Sequence, residues 1–315
     1  MELKRNPHIT LRQLWHFVAA AEAGTMSEAA RQLHMAPSAI SMSIMELERV
    51  VGAQLCVKRK SKGITLTPAG RAAFLQASQI LDMAGEMVYV PHGDRAQVRG
   101  PLSVGCYSPL APRIVPQMFA IFEERFPLVE VQFVEGYHDD LQAKVLEGSL
   151  DLAFLFNLDV LPGLESLPLL KVEPHVLLAE SSPLLAKDAV TVADLADQAM
   201  LFFDAEPLYG RVLELFRDGG VTPKVRHRTR SYATLRSLIG RDLGAAVVYD
   251  NPMLDRSYEG RRVLSRPVST AHDFSAHIAI MRSRSIRLHA RAHAWIESAV
   301  EVFADRPATP VPPAP

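Results

Sequence analysis

The sequence contains few cysteines and no long apolar run. Its 315 residues include two cysteines, Cys56 and Cys106, in what read as different domains, so a disulfide framework is excluded and a reducing compartment fits. The longest apolar stretches, such as LDLAFLF and LGAAVVY, have the length of strands and fall far short of the roughly 20 residues that cross a bilayer. The opening MELKRNPHIT lacks the apolar region of a signal peptide. We therefore expect a globular, cytoplasmic protein.

Motifs of catalysis are also missing. The sequence has no nucleophile elbow and no phosphate-binding glycine-rich loop, and the glycines of IGRDLGAA do not form a dinucleotide fingerprint. The histidines are scattered, and His289 and His293 have helical spacing but no Cys, Asp or Glu between them, which favours a solvated helix face over a metal site. The sequence therefore predicts no enzyme, no cofactor and no metal site.

Charge is distributed unevenly along the chain. Residues 1–72 carry ten basic and five acidic side chains, a formal charge of +5, whereas the remaining 24 basic and 30 acidic side chains give −6. A basic head on an acidic body indicates that the head alone meets a polyanion.

The head has the spacing of a helix-turn-helix. Thr10 with Gln13, and Thr25 with Glu28, can form capping boxes that open two helices. HMA then forms the turn, and Pro37 suits the first position of a third helix. That helix buries one apolar face and exposes the opposite one; the exposed residues are Ser38, Ser41, Met42, Met45 and Arg49.

A basic wing and a long helix follow. VKRKSKGITLTPAG predicts a two-stranded wing whose tip KRKSKG is closed by Gly63, and Pro68 and Gly70 mark the start of the next helix. From Arg71 to about Val90 the apolar residues form a helical stripe, which predicts pairing with a partner chain. Packing within the same subunit is the alternative. PHGDRAQVRGP is a plausible hinge.

Beyond the hinge, strands and helices alternate in an α/β pattern that predicts largely parallel sheets. The predicted strands are LSVGCY, VEVQFVE, LDLAFLF, HVLLAE, AMLFF, KVRHRT, LGAAVVY and SAHIAIMRS. Helices are expected at about 112–125, 138–147, 206–218, 231–240 and 286–303. The predicted domains are a DNA-binding head (1–68), a linker helix and hinge (69–95), a two-lobed domain (96–304) and a disordered tail (305–315). Within the two-lobed domain, lobe I covers about 96–170 and 271–304, and lobe II covers about 171–270.

These residues resemble the LysR-type transcriptional regulators over nearly the whole chain. The resemblance rests on the helix-turn-helix and on three segments in order: LERVVGAQLCVKRKSKGITLTPAG, FPLVEVQFVEG and LEGSLDLAF. It implies a winged helix-turn-helix, a dimerising linker helix and a two-lobed effector domain similar to periplasmic binding proteins. It also implies a homodimer or homotetramer on double-stranded promoter DNA, a small-molecule effector, and contact with RNA polymerase if the protein is an activator.

The head departs from the usual family pattern at three positions. Ala36 replaces a common Ser or Thr, Pro37 an often base-reading Gln, and Met42 a common Arg. We nevertheless expect DNA binding, with charge supplied by the rim and the wing and apolar contacts, such as Met42 or Met45 on a thymine methyl, made by the third helix. The predicted DNA-binding residues are Arg31, Pro37, Ser38, Ser41, Met42, Arg49, Arg59, Lys60 and Lys62.

The predicted effector site lies at the strand ends of the two-lobed domain, where helix N-termini favour an anionic ligand. Its candidate residues are Tyr107, Ser108, Asn157, Phe203, Asp204, Thr229, Ser231 and Tyr249. Several have a structural alternative: Asp204 can cap a helix, Phe203 can be core, and Thr229 can lie on a solvated edge. Arg113 and Arg230 are read as surface charges that could assist. A thiol sensor at Cys106 is the rarer alternative to a buried apolar cysteine.

Two other functions compete with this prediction. A transport solute-binding protein fits residues 100–300, but the basic head and the missing signal peptide argue against it. A cytoplasmic small-molecule-binding protein with weakened or non-specific DNA binding is the second alternative.

Overall fold

The computed structural model describes residues 8–59, 63–89, 98–249 and 255–303. It divides into two compact units, one drawn from residues 1–97 and 286–290 and the other from residues 98–285 and 291–315. Lys60, Lys62, residues 91–97 of the expected hinge and the tail 305–315 lie outside the described residues, as does Val90 at the predicted end of the long helix.

Three helices open the first unit: α1 (Leu11–Ala23), α2 (Met26–Gln32) and α3 (Pro37–Val51). The predicted capping box of Thr10 and Gln13 is present, and Gly24 ends α1 in the left-handed conformation. The second capping box forms in one direction only. Thr25 accepts a hydrogen bond from the backbone of Glu28, but the Glu28 carboxylate accepts from Arg31 instead of reaching back.

The wing and the long helix complete this unit. Strands β1 (Cys56–Arg59) and β2 (Gly63–Leu66) pair antiparallel, and α4 runs over Pro68–Tyr89. The buried side chains of α1, α2 and α3 form one core with Leu55, and Ala77 of α4 is buried in it. Phe74 and Leu81 pack against the same core, so part of the α4 stripe is covered within its own subunit.

The second unit contains the remaining elements. Its strands are β3 (Gly100–Tyr107), β4 (Val129–Gly136), β5 (Leu152–Phe156), β6 (Leu164–Val172), β7 (His175–Ala179), β8 (Val190–Thr191), β9 (Ala199–Phe203), β10 (Lys224–Thr229), β11 (Ala246–Val248), β12 (Val263–Ser269) and β13 (Ala276–Ser283). Its helices are α5 (Ala111–Arg125), α6 (His138–Leu146), α7 (Leu208–Asp218), α8 (Tyr232–Gly240) and α9 (Ala290–Phe303), whose first residue groups with the first unit. Short 3-10 turns cover Pro183–Ala186 and Ala193–Leu195.

Lobe I, as we use the name, is built on a five-stranded sheet in the order β4-β3-β5-β13-β6. Strand β3 pairs parallel with β4 and β5, whereas β13 lies antiparallel between β5 and β6. At one end of the last pair Val172 faces Ala276. The prediction of largely parallel sheets is therefore wrong, because a strand from the end of the chain returns through the sheet in the opposite direction.

Lobe II, the chain between β6 and β13, carries a four-stranded sheet in the order β11-β7-β12-β8 and the parallel pair β9 and β10. The sequence reading missed β6, β8 and β12. Strands β6 and β12 contain Pro168 and Pro267, which disfavour a central strand. Strand β6 tolerates its proline because it lies at a sheet edge, and its pairing register shifts beside Pro168.

Candidate functional site

Helix α3 presents a narrow outward face. Its inner face is fixed by Ile40, Ile44 and Leu47, each at most 2% exposed. Ala36, at the N-cap, makes no side-chain capping hydrogen bond, and Pro37 takes the first helical turn as expected. The start of this helix therefore lacks the cap that Ser, Thr, Asp or Asn would supply.

The outward face is apolar in its middle. Met42 and Met45 are 70% and 63% exposed, and Ser38 and Arg49 continue the same face toward its two ends. By contrast, Met26 packs against the core and Met35 is half-buried, so neither is as exposed as Met42 and Met45.

The arginines on this surface are paired with acids. Arg31 lies 2.5 Å from Glu28, and Arg49 lies 2.6 Å from Glu46. These hydrogen bonds lower the pKa of both glutamates. Ion pairs this exposed are weak, so each guanidinium can exchange its glutamate for a phosphate.

The wing is attached to the end of α1. The backbone N–H of Ile64 donates to the Gly24 carbonyl over 2.7 Å. A Cβ at Gly63, where φ is +75°, would lie 2.2 Å from that carbonyl oxygen. Arg59 ends strand β1, and Lys60 and Lys62 lie beyond the described residues. The wing strand β2 is thus fixed to the helix-turn-helix.

A cavity of about 960 Å³ lies between the two lobes, a size typical of small-molecule sites. Lobe I contributes Ser108, Pro109, Pro112, Arg113, Pro116, Gln117, Glu135 and Tyr137, and lobe II contributes Phe203, Arg230, Ser231, Tyr232, Ala233, Arg236, Arg256, Ser257 and Tyr258. Three of the candidate effector residues, Ser108, Phe203 and Ser231, therefore line it.

The other candidates are not among the residues that line this cavity. Tyr107 is fully buried, its ring is in edge contact with Phe203, and its hydroxyl has no hydrogen-bond partner among the described residues. Tyr249 is buried too, and with Phe203 it lines a smaller apolar pocket.

Asn157, Asp204 and Thr229 take part in backbone bonding. Asn157 accepts from the His277 N–H over 2.7 Å, and the Asp204 N–H donates to the Thr229 carbonyl over 2.9 Å. The Thr229 hydroxyl accepts from the Ser231 N–H. These three residues support the loops at the strand ends and do not line the cavity.

The cavity is rich in arginine, which the sequence reading did not anticipate. Arg113 and Arg230, read as surface charges, line it together with Arg236 and Arg256, against one carboxylate, Glu135. Arg236 is 6% exposed and donates to the Arg256 carbonyl over 3.1 Å. The cavity wall therefore carries an excess of positive charge.

An arginine–aromatic contact also crosses between the lobes at this cavity. The Arg230 guanidinium lies 3.9 Å from the centre of the Tyr137 ring, and the Tyr137 hydroxyl donates to the Arg230 carbonyl over 3.4 Å. The contact combines a cation–π interaction with a hydrogen bond, so it links the two walls.

Two buried groups near the strand ends have shifted pKa values. Burial raises the pKa of Cys106 far above its usual range, which opposes thiolate chemistry there. Burial also lowers the pKa of His138, whose Nε2 donates to the Phe156 carbonyl while Nδ1 accepts from Gln142. His138 is thus held as a neutral imidazole.

Two further properties concern the described residues alone. They contain no group of three or more His, Cys, Asp or Glu side chains placed to hold a metal ion. Among them, no helix has the length and apolar character that spanning a membrane requires.

Both units of the chain match known protein families. Residues 11–71 match the family model described as the bacterial regulatory helix-turn-helix protein of the lysR family, and residues 95–304 match the LysR substrate binding domain. The chain is 30% identical over 251 residues to the uncharacterized HTH-type transcriptional regulator YnfL of Escherichia coli, covering 76% of this chain and 82% of YnfL.

Solved structures agree with the sequence matches. The crystal structure of HinK, a LysR family transcriptional regulator from Pseudomonas aeruginosa, aligns with a TM-score of 0.62 at 29% identity, covering 93% of this chain and 98% of HinK. A full-length OxyR variant from Pseudomonas aeruginosa aligns with a TM-score of 0.74 at 22% identity, covering 96% and 99% of the two chains. The chain therefore belongs to the LysR family of transcriptional regulators, with a helix-turn-helix DNA-binding domain and an effector-binding substrate domain.

Proposed function

We propose that this regulator recognises its operator through the outward face of α3 and gains most of its affinity from phosphate contacts at the wing. The exposed face of α3 carries this proposal. Arg49 is the one basic side chain on that face, and it forms an ion pair with Glu46, so the face itself offers little attraction to phosphate. Phosphate attraction then depends on Arg31, on Arg59 and on the wing lysines Lys60 and Lys62.

A salt series tests the division between affinity and specificity. The purified chain is titrated with DNA from upstream of its own gene and with unrelated DNA. We expect preferential binding to the first DNA and a log-linear loss of affinity for both with salt. Replacing Lys60 and Lys62 by Ala should weaken both and flatten the salt slope. An unchanged slope would remove the wing from the interface.

We propose that the effector is an anion and that it binds in the cavity between the lobes. Four arginines against one glutamate support this charge, and Tyr137, Phe203 and Tyr258 with three prolines offer apolar surface to the body of the ligand. Ser231, the N-cap of α8, and Tyr232 and Ala233 of its first turn line the same cavity, and the N-terminal end of a helix favours negative charge.

Charge preference is measured with matched probes. Benzoate and hexanoate are compared with benzyl alcohol and hexanol by calorimetry on the full-length protein. We expect tighter binding of the carboxylates and a loss of that preference in Arg230→Gln. Arg228→Gln is the control, because Arg228 packs over Tyr209 and does not line the cavity. Equal binding of acids and alcohols would exclude an anion-selective site.

We propose that the protein forms a homodimer or homotetramer whose subunits are joined in part through α4. We also propose that it acts in the cytoplasm, where it regulates transcription and does not catalyse a reaction. Ile80 and Met83 of α4 are each 40% exposed, while Ala77 faces the core of its own subunit. Analytical ultracentrifugation of Ile80→Glu should show a smaller assembly than the parent chain. An activator would in addition contact RNA polymerase.

A further inference from the structure

The middle of the α3 face is chemically unsuited to most base edges. Met42 and Met45 stand out from the helix with the bulk of their side chains exposed. Both side chains lie on the outward face of α3 and are available for contact with a partner. A thioether offers at most a weak hydrogen-bond acceptor, so these residues cannot satisfy the polar edges of a base pair.

The major groove contains one apolar feature that such a side chain can match. Guanine, adenine and cytosine present donors and acceptors there, whereas thymine adds a C5-methyl group. Covering an unpaired polar edge with a methionine costs free energy, because that edge loses water without gaining a partner. Contact with a methyl group buries apolar surface on both sides and is favourable.

The spacing of the two methionines sets the spacing of the bases. Residues three apart in a helix lie about 4.5 Å apart along its axis, and successive base pairs lie about 3.4 Å apart. Two methionines on one face can therefore reach methyl groups on neighbouring base pairs.

We propose that Met42 and Met45 select thymines at two neighbouring base pairs of each half-site by contact with their C5-methyl groups. This specificity rests on the proposed role of α3 in operator binding. Met42 stands where the family resemblance predicts an arginine, a side chain that can donate hydrogen bonds to guanine, and a thioether cannot replace that donor. Ser38, on the same face, has a hydroxyl for a flanking base edge or phosphate.

Removing single methyl groups from DNA tests the proposal directly. A preferred duplex is first selected from a random library by the full-length protein. Each thymine is then replaced in turn by deoxyuridine, which lacks only the methyl group. We expect binding to weaken roughly fourfold at each contacted thymine, at two neighbouring base pairs of each half-site, and to be unchanged elsewhere.

Protein variants assign the contacts. Met42→Ala should make thymine and deoxyuridine equivalent at one of the two positions and leave the other sensitive, and Met45→Ala should show the reverse. Leu128→Ala is the control, because Leu128 is a large apolar side chain that is 50% exposed and belongs to the other unit. It should retain both sensitivities.

The outcomes separate this inference from the proposed function. A selected duplex that tolerates deoxyuridine throughout, or that has G·C pairs where the methionines act, overturns methyl reading while leaving operator binding intact. Equal binding of all duplexes also overturns it, since α3 then reads no sequence. Absence of DNA binding at any salt concentration contradicts the proposed function itself.

Discussion

Replacing Gly70 by alanine should destabilise the DNA-binding unit, although the same change usually stabilises a helix. Gly70 lies in the first turn of α4, and a Cβ built there would lie 2.0 Å from the carbonyl oxygen of Leu55 and 2.9 Å from its carbonyl carbon. Both are backbone atoms, so the wing and the helix must separate. Overpacking of this kind costs about 1–3 kcal/mol, which outweighs the gain in helix propensity of about 1 kcal/mol.

Gly85 of the same helix is the matched control. A Cβ there meets nothing within 4 Å, so Gly85→Ala should raise the free energy of unfolding by about 0.5–1 kcal/mol. Opposite signs for one substitution in one helix would isolate the close approach at Leu55 from any general effect of alanine.

Urea unfolding of the full-length chain measures both effects. The chain has two tryptophans, Trp15 in the DNA-binding unit and Trp295 in the other, so Trp15 emission in a Trp295→Phe background reports the relevant transition. A midpoint for Gly70→Ala at or above that of the parent would refute the steric reasoning. A loss at Gly85 as large as that at Gly70 would also refute it.

Three further predictions concern single sites. Ala36→Ser should stabilise the DNA-binding unit by about 1 kcal/mol by supplying the missing cap of α3, whereas Ala39→Ser, inside the helix, should give no gain in urea unfolding. The pKa of His138 in the folded protein is lowered below 6.5. Below pH 6.5 the unfolded state therefore binds a proton more readily than the folded state does. Stability of the effector-binding unit is therefore complete above pH 6.5 and should fall by up to about 1.4 kcal/mol per pH unit below it. Trp295 emission in a Trp15→Phe background measures this slope of stability against pH. The slope should be shallower in His138→Gln. An equal slope in that variant would show that His138 does not cause the pH dependence. Cys106 is fully buried with a raised pKa and Cys56 is 7% exposed, so a thiol reagent at pH 8 should label neither cysteine before urea is added. Rapid labelling of Cys106 in the native protein would show that its thiol is accessible and would favour the alternative of a thiol sensor.

Local signals in the sequence were enough for the helices. The Thr10 and Gln13 capping box and Pro37 at the start of α3 act through neighbouring residues, and the structure contains both. The predicted α5 and α8 differ from the observed helices by about one residue at their starts. Such features need no knowledge of distant parts of the chain.

Features that depend on distant pairings were not predictable in the same way. The antiparallel insertion of β13 between β5 and β6 joins segments more than 100 residues apart, and no local pattern encodes its direction. In the cavity, Arg236 comes from α8 and Arg256 from a later loop. Sequence reading located the strand ends correctly but could not tell which side chains near them face the cavity and which, like Asn157, bond to backbone.

The pairing of Val172 with Ala276 has a consequence for how this sensor can diversify. The chain leaves lobe I after β6 and returns to it in β13 at adjacent positions of one sheet. Lobe II is therefore an insertion in lobe I, and the two ends of the insertion lie side by side in the lobe I sheet. Exchange of the whole insertion between relatives would preserve the strand register of lobe I, so the lobe II side of the cavity can be replaced while the lobe I side is inherited unchanged.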